Sequence, residues 1–217
     1  YRMSDLPKSF APAFEIIRAR QQNLPIVALE STVITHGLPR PQNLTLAQDM
    51  EQAVRAEGAI PATIAVLDGK IHIGLSQQEL EKVASATDAL KVSLRDFATA
   101  LVKNSVGGTT VAGTMFAAHT AGIKVFATGG IGGVHVEQRF DVSTDLKALA
   151  EIPMIVVCAG AKSILDLDST LEYLETMGVP VVGYQTDKFP EFFSPGDKRP
   201  VSVRLESPEE IVQFAHA

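Results

Sequence analysis

The amino-acid sequence predicts an α/β sandwich with a mixed, largely parallel sheet, and three observations carry that prediction. Short apolar runs alternate with helical segments along the chain, as is typical of this class. Met154–Cys158 holds five consecutive apolar residues, which predicts a buried strand covered on both faces. Asp68-Gly69 lies between two further apolar runs and predicts a hairpin with a type I′ turn.

The elements before this hairpin are predicted from caps and breaking residues. Ser9–Gln22 has a proline in its first turn and apolar residues at helical spacing, which predicts a helix. Ile26–Leu29, directly after a proline, is predicted to be a short buried strand. A capping-box pattern at Thr45 and Gln48 predicts the start of a second helix. Gly58 is predicted to end that helix.

The same alternation continues to the end of the sequence. Apolar runs predict strands at residues 63–67, 70–75, 90–93, 123–127, 181–183 and 201–205. Capping residues predict helices after Ser76, Ser93, Ser143 or Thr144, and Ser207, and a further helix is predicted over residues 168–177.

Two glycine-rich segments interrupt this alternation of predicted strands and helices. Residues 107–110 (GGTT) are predicted to open a helix that runs to about residue 121. Residues 128–133 (TGGIGG) predict a loop that needs positive φ angles or a close approach to a ligand. Either segment could cradle a phosphate, but neither matches a Walker or dinucleotide-binding pattern. At this point ligand contact and a purely structural role both stay open.

Composition limits the class of protein. With 217 residues and 46% hydrophobic content, residues 9–217 are expected to form a single domain, preceded by a loose leader at residues 1–8. The net charge of −6 is scattered along the chain, which argues against a nucleic-acid partner but not against a phosphorylated small ligand. A single cysteine, and no apolar run of about 18 residues, predict a cytoplasmic protein without a membrane partner.

Two reactive side chains follow predicted strands, where α/β proteins gather their ligands. Lys162 follows Met154–Cys158 after three small residues, and burial at such a place lowers the pKa of a lysine and frees its amine as a nucleophile. Glu30 follows Ile26–Leu29 without a cationic neighbour in sequence, and a carboxyl with a raised pKa suits proton transfer. The residues alone leave open a snorkelling lysine and a solvated loop glutamate.

Other polar residues carry weaker signals. Asp141 and Asp145 flank a turn and could hold a hard cation through oxygen, although capping is the more frequent use of such residues. The five histidines lack metal-ligand spacing, which argues against zinc. Cys158 ends an apolar strand and is predicted to be an inert buried thiol.

Six segments, in the same order over about residues 14–205, resemble the pseudouridine-5′-phosphate glycosidase family. They are ALESTVITHGLPRPQN (28–43), KVSLRD (91–96), SVGGTTVAGTM (105–115), ATGGIGGVH (127–135), FDVSTDL (140–146) and VVCAGAKSILD (156–166). The resemblance implies a three-layer α/β/α sandwich, a homotrimer, and reversible cleavage of the C–C glycosidic bond of pseudouridine 5′-phosphate to uracil and ribose 5-phosphate. Family members usually continue past the position of Ala217, so the chain is expected to lack a C-terminal segment that contributes a base-contacting asparagine.

By motif match, the resemblance also implies roles for individual residues. Glu30 would be the acid/base and Lys162 the Schiff-base nucleophile. Asp141 would bind one Mn²⁺, largely through a shell of water. The substrate would be bound by Lys91, Val111, Ser143, Thr144 and Asp145.

The chemistry of the bond agrees with these roles. An ordinary glycosidase protonates a leaving oxygen, but here the leaving atom is C5 of uracil, a carbon with no lone pair ready for a proton. An amine that attacks C1′ and opens the ribose can form an iminium at C1′, which changes which bonds can break, and a glutamate can then deliver a proton to carbon. Lys91 has the opposite requirement, a solvated ammonium that pairs with the phosphate.

Two alternatives from other functional classes stay open. A Schiff-base aldolase acting on a phosphorylated sugar would also use a lysine after a strand, and it predicts no dependence on uracil. A non-catalytic sugar-phosphate-binding module would use the glycine segments and Lys91, while Lys162 stays charged.

Overall fold

The computed structural model describes residues 6–136 and 140–217, which form two compact units, Tyr1–Ala127 and Thr128–Ala217. Most of the predicted leader, residues 1–5, lies outside the described residues, and the first strand begins at Phe10. The prediction of a single domain over residues 9–217 stays a prediction.

Over its described residues, 6–127, the first unit contains seven strands, five α-helices and a π-helical turn at Val33–Gly37. The strands are β1 Phe10–Pro12, β2 Ile26–Leu29, β3 Ile60–Leu67, β4 Lys70–Ile73, β5 Leu90–Val92, β6 Gly107–Thr109 and β7 Val125–Ala127. The helices are α1 Phe14–Gln21, α2 Gln42–Ala56, α3 Gln77–Ser85, α4 Phe97–Val102 and α5 Val111–Thr120.

The sheet of the first unit runs in the order β1-β4-β3-β2-β7, with β6 on β3 and β5 on β6. β1–β4, β2–β3, β2–β7 and β5–β6 are parallel, whereas β3–β4 and β3–β6 are antiparallel. Ala65 and Leu67 of β3 join a buried apolar cluster with α2 and α3, and Ile64 and Val66 on the opposite face are fully buried as well. The sheet is therefore covered on both faces, and the predicted sandwich with a mixed, largely parallel sheet is confirmed.

The β3–β4 hairpin forms as its sequence predicts. Leu67 pairs with Lys70, and the two residues between them, Asp68 and Gly69, have φ angles of 49° and 69°. A type I′ turn requires positive φ at both central positions, which the Asp-Gly pair tolerates. The predicted capping box at Ser76 is also present at the start of α3, where Glu79 completes it.

Two predictions about helix starts are wrong. Residues 10–12 of the predicted helix Ser9–Gln22 form β1, because Phe10 pairs in parallel with Ile71 on the edge of the sheet, and this pairing overrides local helix preference. The second helix begins at Gln42 rather than at Thr45. Its first turn is fixed from a distance, because the buried Asn43 amide donates to the carbonyls of Ile34 and Ala84 at 2.9 Å.

The described part of the second unit, residues 128–136 and 140–217, contains five short strands and three helices. The strands are β8 Val134–His135, β9 Ile155–Val157, β10 Leu165–Asp166, β11 Val182–Tyr184 and β12 Val203–Leu205. The helices are α6 Thr144–Glu151, α7 Leu167–Thr176 and α8 Pro208–His216, with Ser143, Asp166 and Ser207 as N-caps. β8 pairs with β10 in antiparallel fashion and β11 with β12 in parallel.

The strand predicted at Met154–Cys158 exists as β9, but the prediction that it is fully buried is wrong. Val157 is 56% exposed, and the residues before it in the strand are only half-buried. An apolar run indicates a strand, but it does not specify what covers each face. In the part of the chain that the structure describes, none of the helices is long and apolar enough to cross a membrane.

We expect Glu51→Gln to raise the melting temperature at pH 7 by roughly 2 °C. Burial raises the pKa of the Glu51 carboxyl, and Thr63 Oγ1 donates to its Oε1 at 2.6 Å. Because the folded-state pKa is raised, the stability that Glu51 contributes is complete below its unfolded pKa and is lost as pH rises through the folded pKa. Glutamine can accept the same hydrogen bond without ionising.

Thermal melts of both proteins between pH 4 and pH 8 check this prediction. The gain should be absent near pH 4 and grow as the pH rises. A variant whose relative stability falls with rising pH would contradict the assignment.

Candidate active site

In the first unit, two strands that share β3 meet end to end. β2 pairs with the first half of β3, as far as Leu29 opposite Thr63, and β6 pairs with the second half at Ala65 and Val66. β2 is parallel to β3 and β6 is antiparallel to it, so their carboxyl ends face each other across Ile64. This junction lies beside Glu30 and a few residues from the start of α5.

Glu30 is held at this junction and is only 6% exposed. The next residue, Ser31, donates from Oγ to the Ile64 carbonyl at 2.5 Å and accepts from the Thr109 amide at 2.9 Å. Thr109 Oγ1 donates to the same Ile64 carbonyl at 2.8 Å. The backbone that carries Glu30 is therefore fixed by buried hydrogen bonds, and the alternative of a solvated loop glutamate is wrong.

The first glycine segment, predicted to open a helix, is mainly strand, and the helix begins directly after it. Gly107 and Gly108 lie in β6, and α5 begins only at Val111, with Thr110 as its N-cap. A Cβ on Gly107 would lie 2.5 Å from a methyl carbon of Val92, and one on Gly108 would collide with Thr35. These glycines are needed because neighbouring elements pack closely, so they are not a phosphate loop.

Lys91 and Val111 both lie next to this junction. In the parallel register, Lys91 pairs with Gly108 and Val92 with Thr109, while the Thr110 amide donates to the Val92 carbonyl at 2.9 Å. Lys91 is exposed, as a phosphate-binding ammonium requires. The Val111 side chain is buried, so this residue can offer a ligand only its backbone amide, at the first position of a ten-residue helix.

In the second unit, Lys162 lies on a loop that runs beside the second glycine segment. The Lys162 amide donates to the Ile131 carbonyl at 3.1 Å, and the Ile131 amide donates to the Gly160 carbonyl at 3.0 Å. The Lys162 side chain is half-buried, and it forms no ion pair or side-chain hydrogen bond with any residue in the described ranges. Its amine is thus not tied to a carboxylate of the described chain.

The glycines of residues 128–133 accommodate protein side chains rather than unusual backbone angles, since positive φ is found at none of them. A Cβ on Gly130 would lie 2.6 Å from the Phe192 ring, and one on Gly132 would lie 2.6 Å from Ser143 Cβ. One on Gly133 would lie 2.9 Å from Thr170 Cγ2. The segment is therefore a closely packed turn within its own unit.

Ser143, Thr144 and Asp145 begin α6 directly against this glycine segment. Asp145 is buried, and its Oδ2 accepts a hydrogen bond from the Gly132 amide at 2.9 Å. The Ser143 amide donates to the Gly133 carbonyl at 3.0 Å, while Thr144 is exposed. The second unit therefore brings the Lys162 loop, the glycine segment and the start of α6 together.

Asp141 is exposed, and its Oδ2 lies 2.6 Å from Nδ1 of His135. Within residues 6–136 and 140–217, no group of three or more His, Cys, Asp or Glu side chains is placed to hold a metal ion. Any cation here would have one carboxylate and, beyond that, mainly water. That donor set is compatible with Mn²⁺ or Mg²⁺ and unsuitable for zinc.

Cys158 is half-buried, where the sequence predicts a buried thiol. Desolvation raises the pKa of the thiol. A thiol with a raised pKa stays protonated near neutral pH and is a poor nucleophile.

Sequence reasoning missed two kinds of residue near these groups. His135 pairs with Asp141, and Thr170, fully buried on α7, accepts from the Val134 amide at 3.0 Å. Arg199 forms ion pairs with two carboxylates, those of Asp168 on α7 and of Glu191. The sequence shows only an irregular segment at 186–200, and no spacing rule connects its arginine with those carboxylates.

Comparison with known proteins places this chain in a family. The family model described as indigoidine synthase A like protein matches residues 15–217. The chain belongs to the indigoidine synthase A like family. A relative from Solibacter usitatus, named pseudouridine-5′-phosphate glycosidase, is 55% identical over 202 residues, which cover 92% of this chain and 68% of the relative.

Two solved structures of the indigoidine synthase A like fold agree with this assignment. The prealnumycin C-glycosynthase AlnA, in complex with ribulose 5-phosphate, matches with a TM-score of 0.89 and 42% identity, covering 97% of this chain and 68% of that one. An indigoidine synthase A-like protein from Thermotoga maritima matches with a TM-score of 0.87 and 37% identity, covering 95% and 68%. The resemblance seen in the sequence is confirmed.

Proposed function

We propose that this protein catalyses the reversible cleavage of the C–C glycosidic bond of pseudouridine 5′-phosphate to uracil and ribose 5-phosphate. The observation that carries the proposal is the 55% identity with a pseudouridine-5′-phosphate glycosidase over 92% of the chain. A sugar phosphate as substrate is also supported by the ribulose 5-phosphate bound to the related AlnA.

In the proposed reaction, the amine of Lys162 attacks C1′ of the ribose and expels O4′, which takes up a proton, so that the sugar ring opens. The nitrogen lone pair then stabilises C1′ as an iminium while the C1′–C5 bond breaks and its electrons remain on uracil. Glu30 delivers a proton to C5. Water hydrolyses the iminium, releases ribose 5-phosphate and restores the lysine, so one water is consumed for each bond cleaved.

The structure of each unit supports these roles separately. Lys162 has an amine without a carboxylate partner in the described ranges, as a nucleophile requires, and Glu30 is a buried carboxyl on a rigid junction. Asp145 holds the glycine segment through the Gly132 amide, Ser143 Oγ caps α6 by accepting from the Asp145 amide at 3.2 Å, and Thr144 is exposed. Lys91 and the Val111 amide provide a positive end for the phosphate.

We expect Lys91→Ala to weaken the binding of pseudouridine 5′-phosphate by about 1.5–3 kcal/mol, the usual cost of a lost charged hydrogen bond. The substitution should raise KM for the phosphorylated substrate. KM for the unphosphorylated nucleoside should hardly change. Lys70→Ala is the matched control, because Lys70 is also an exposed strand lysine of the first unit. Equal losses for both substrates would remove Lys91 from the phosphate site.

We also propose that Asp141 holds one Mn²⁺ through a carboxylate oxygen and a shell of water. The ion would supply positive charge that polarises the substrate. EDTA should therefore abolish turnover and change the melting temperature by less than about 2 °C, because so thinly liganded an ion does not hold the fold.

Manganese should restore the activity of EDTA-treated wild type and of Asp187→Ala, a control at another exposed carboxylate of the second unit, but not that of Asp141→Ala. Full activity in EDTA would refute the metal role. Rescue of Asp141→Ala at the manganese concentrations that restore wild type would refute it as well.

The decisive experiment is borohydride reduction of the protein with ribose 5-phosphate, with and without uracil. A trapped lysine adduct excludes a non-catalytic sugar-phosphate-binding module. Formation of pseudouridine 5′-phosphate that depends on uracil excludes an aldolase. Failure to trap any adduct, together with no turnover, would overturn the proposed function.

The homotrimer remains a proposal that rests on the family resemblance, and the cytoplasmic location remains one that rests on the composition of the sequence. Sedimentation velocity tests the first, and cell fractionation tests the second.

A further inference from the structure

The Lys162 loop of the second unit is packed between two other segments. On one side, the Ala159 amide donates to the Gly129 carbonyl at 3.2 Å. On the other side, Gly160 forms an antiparallel bridge with Glu191, and the Phe192 amide donates to the Ala159 carbonyl at 3.0 Å. The position of the loop therefore depends on residues 189–192 as much as on the glycine segment.

The fit between these segments is close and strained. Gly160 has a φ of 82°, and a Cβ there would collide with the Pro190 carbonyl oxygen. Phe192 has a φ of 66°, an angle that is rare and costly for a bulky side chain. A strained residue persists only where the surroundings hold it in place, so something must hold residues 189–192 against the loop.

Arg199 provides that restraint. Its Nη1 donates to Glu191 Oε1 at 2.8 Å, while Nε and Nη2 donate to the two carboxylate oxygens of Asp168 on α7 at 2.6 and 2.8 Å. Its backbone carbonyl also accepts from the Phe189 amide at 2.7 Å. The hydrogen bond from Arg199 lowers the pKa of the Asp168 carboxyl, as expected for a charged pair.

We propose that Arg199 is a positioning residue for Lys162. Its guanidinium group, here called the Arg199 fork, binds both Glu191 and Asp168 and so holds residues 189–192 against the Lys162 loop. The inference rests on the proposed function, in which Lys162 is the nucleophile. Arg199 acts on residues 189–192 through Glu191 and the Phe189 amide, so the role needs no contact between Arg199 and the substrate. Arg199 thereby keeps the Lys162 amine in the geometry required for attack. A small displacement of a reacting group lowers the reaction rate strongly.

Arg199→Lys tests this role, because lysine keeps the charge but cannot form the two-sided fork. Arg204→Lys is the matched control, since Arg204 forms a comparable pair with Glu206 in the same unit, with its Nε 2.5 Å from Oε1. The readouts are the rate constant for borohydride trapping at saturating ribose 5-phosphate, kcat and KM for pseudouridine 5′-phosphate, and the melting temperature.

We expect Arg199→Lys to lower the trapping rate constant and kcat together by about 10- to 100-fold, with KM changed less than about threefold. Arg204→Lys should match wild type. A trapping rate constant and kcat equal to those of wild type, or a loss confined to KM, would overturn the inference. If wild type itself traps no sugar, the proposed function fails, which is a different result from equal trapping by wild type and variant.

A second variant keeps the inference testable if Arg199→Lys does not fold. Asp168→Asn weakens the same fork from a side chain that is 74% exposed on α7. It should reduce the trapping rate constant in the same direction while the melting temperature stays within a few degrees of wild type. A folded Asp168→Asn protein that traps sugar at the wild-type rate would overturn the inference.

Discussion

Replacement of Lys162 by alanine is expected to lower turnover of pseudouridine 5′-phosphate by on the order of 10³-fold or more. Without the amine, no covalent intermediate forms, and no nitrogen lone pair stabilises C1′ when the C1′–C5 bond breaks. Borohydride should no longer trap ribose 5-phosphate on the protein. The fold should tolerate the change, because the Lys162 amide rather than its side chain bonds to the Ile131 carbonyl.

Lys147→Ala serves as the control, because Lys147 is a 59% exposed lysine of the same unit that pairs with Glu151 at 3.7 Å. It should retain wild-type turnover and trapping. Peptide mapping of the reduced wild-type protein should place the sugar on Lys162. An adduct on another lysine would contradict the assignment.

Glu30→Gln is expected to lower kcat by about 10²- to 10⁴-fold, the usual range for a lost general acid. Glutamine has nearly the same size, so Ser31 and Thr109 should still hold the junction. Ribose 5-phosphate carries its own carbonyl, so adduct formation at Lys162 should survive in this variant. The synthesis of pseudouridine 5′-phosphate from that adduct and uracil should be lost, since it requires proton transfer at C5.

Stopped assays of trapping and of synthesis on the same preparations separate these two effects. Glu51→Gln is the control, because Glu51 is another shielded carboxyl of the first unit that has no part in the proposed chemistry. Synthesis by Glu30→Gln within about threefold of wild type would remove Glu30 from the acid/base role.

Local chemistry explains which parts of the fold were predictable. The Asp68-Gly69 hairpin and the Ser76 capping box depend on contacts between residues that are close in sequence, so both could be predicted from the sequence. The Gly107-Gly108 pair predicts the opening of a helix but lies in a strand, because glycine also marks strands that other groups approach closely. A sequence shows that a side chain is missing, but it does not show which neighbour fills the space.

The residues of the candidate site also fall into those that the sequence predicts and those that it does not. Glu30 and Lys162 follow predicted strands, and their residue types already indicate acid/base and amine chemistry. Arg199 could not be found this way, because its partners are 31 and 8 residues distant and lie on different elements. The pairing of His135 with Asp141 was hidden for the same reason.

The junction between β2 and β6 has a consequence for the motions of the first unit. Where two strands end over the middle of a third, the hydrogen-bond ladder is interrupted, and such interruptions are places where a sheet can open locally. Here the hydroxyls of Ser31 and Thr109 close the gap by bonding to the Ile64 carbonyl and to the Thr109 amide. The Thr109 amide hydrogen should therefore exchange with solvent only when the unit unfolds globally. Glu30 would then lie beside one of the slowest-exchanging amides of the unit, so the backbone that carries it would open only rarely.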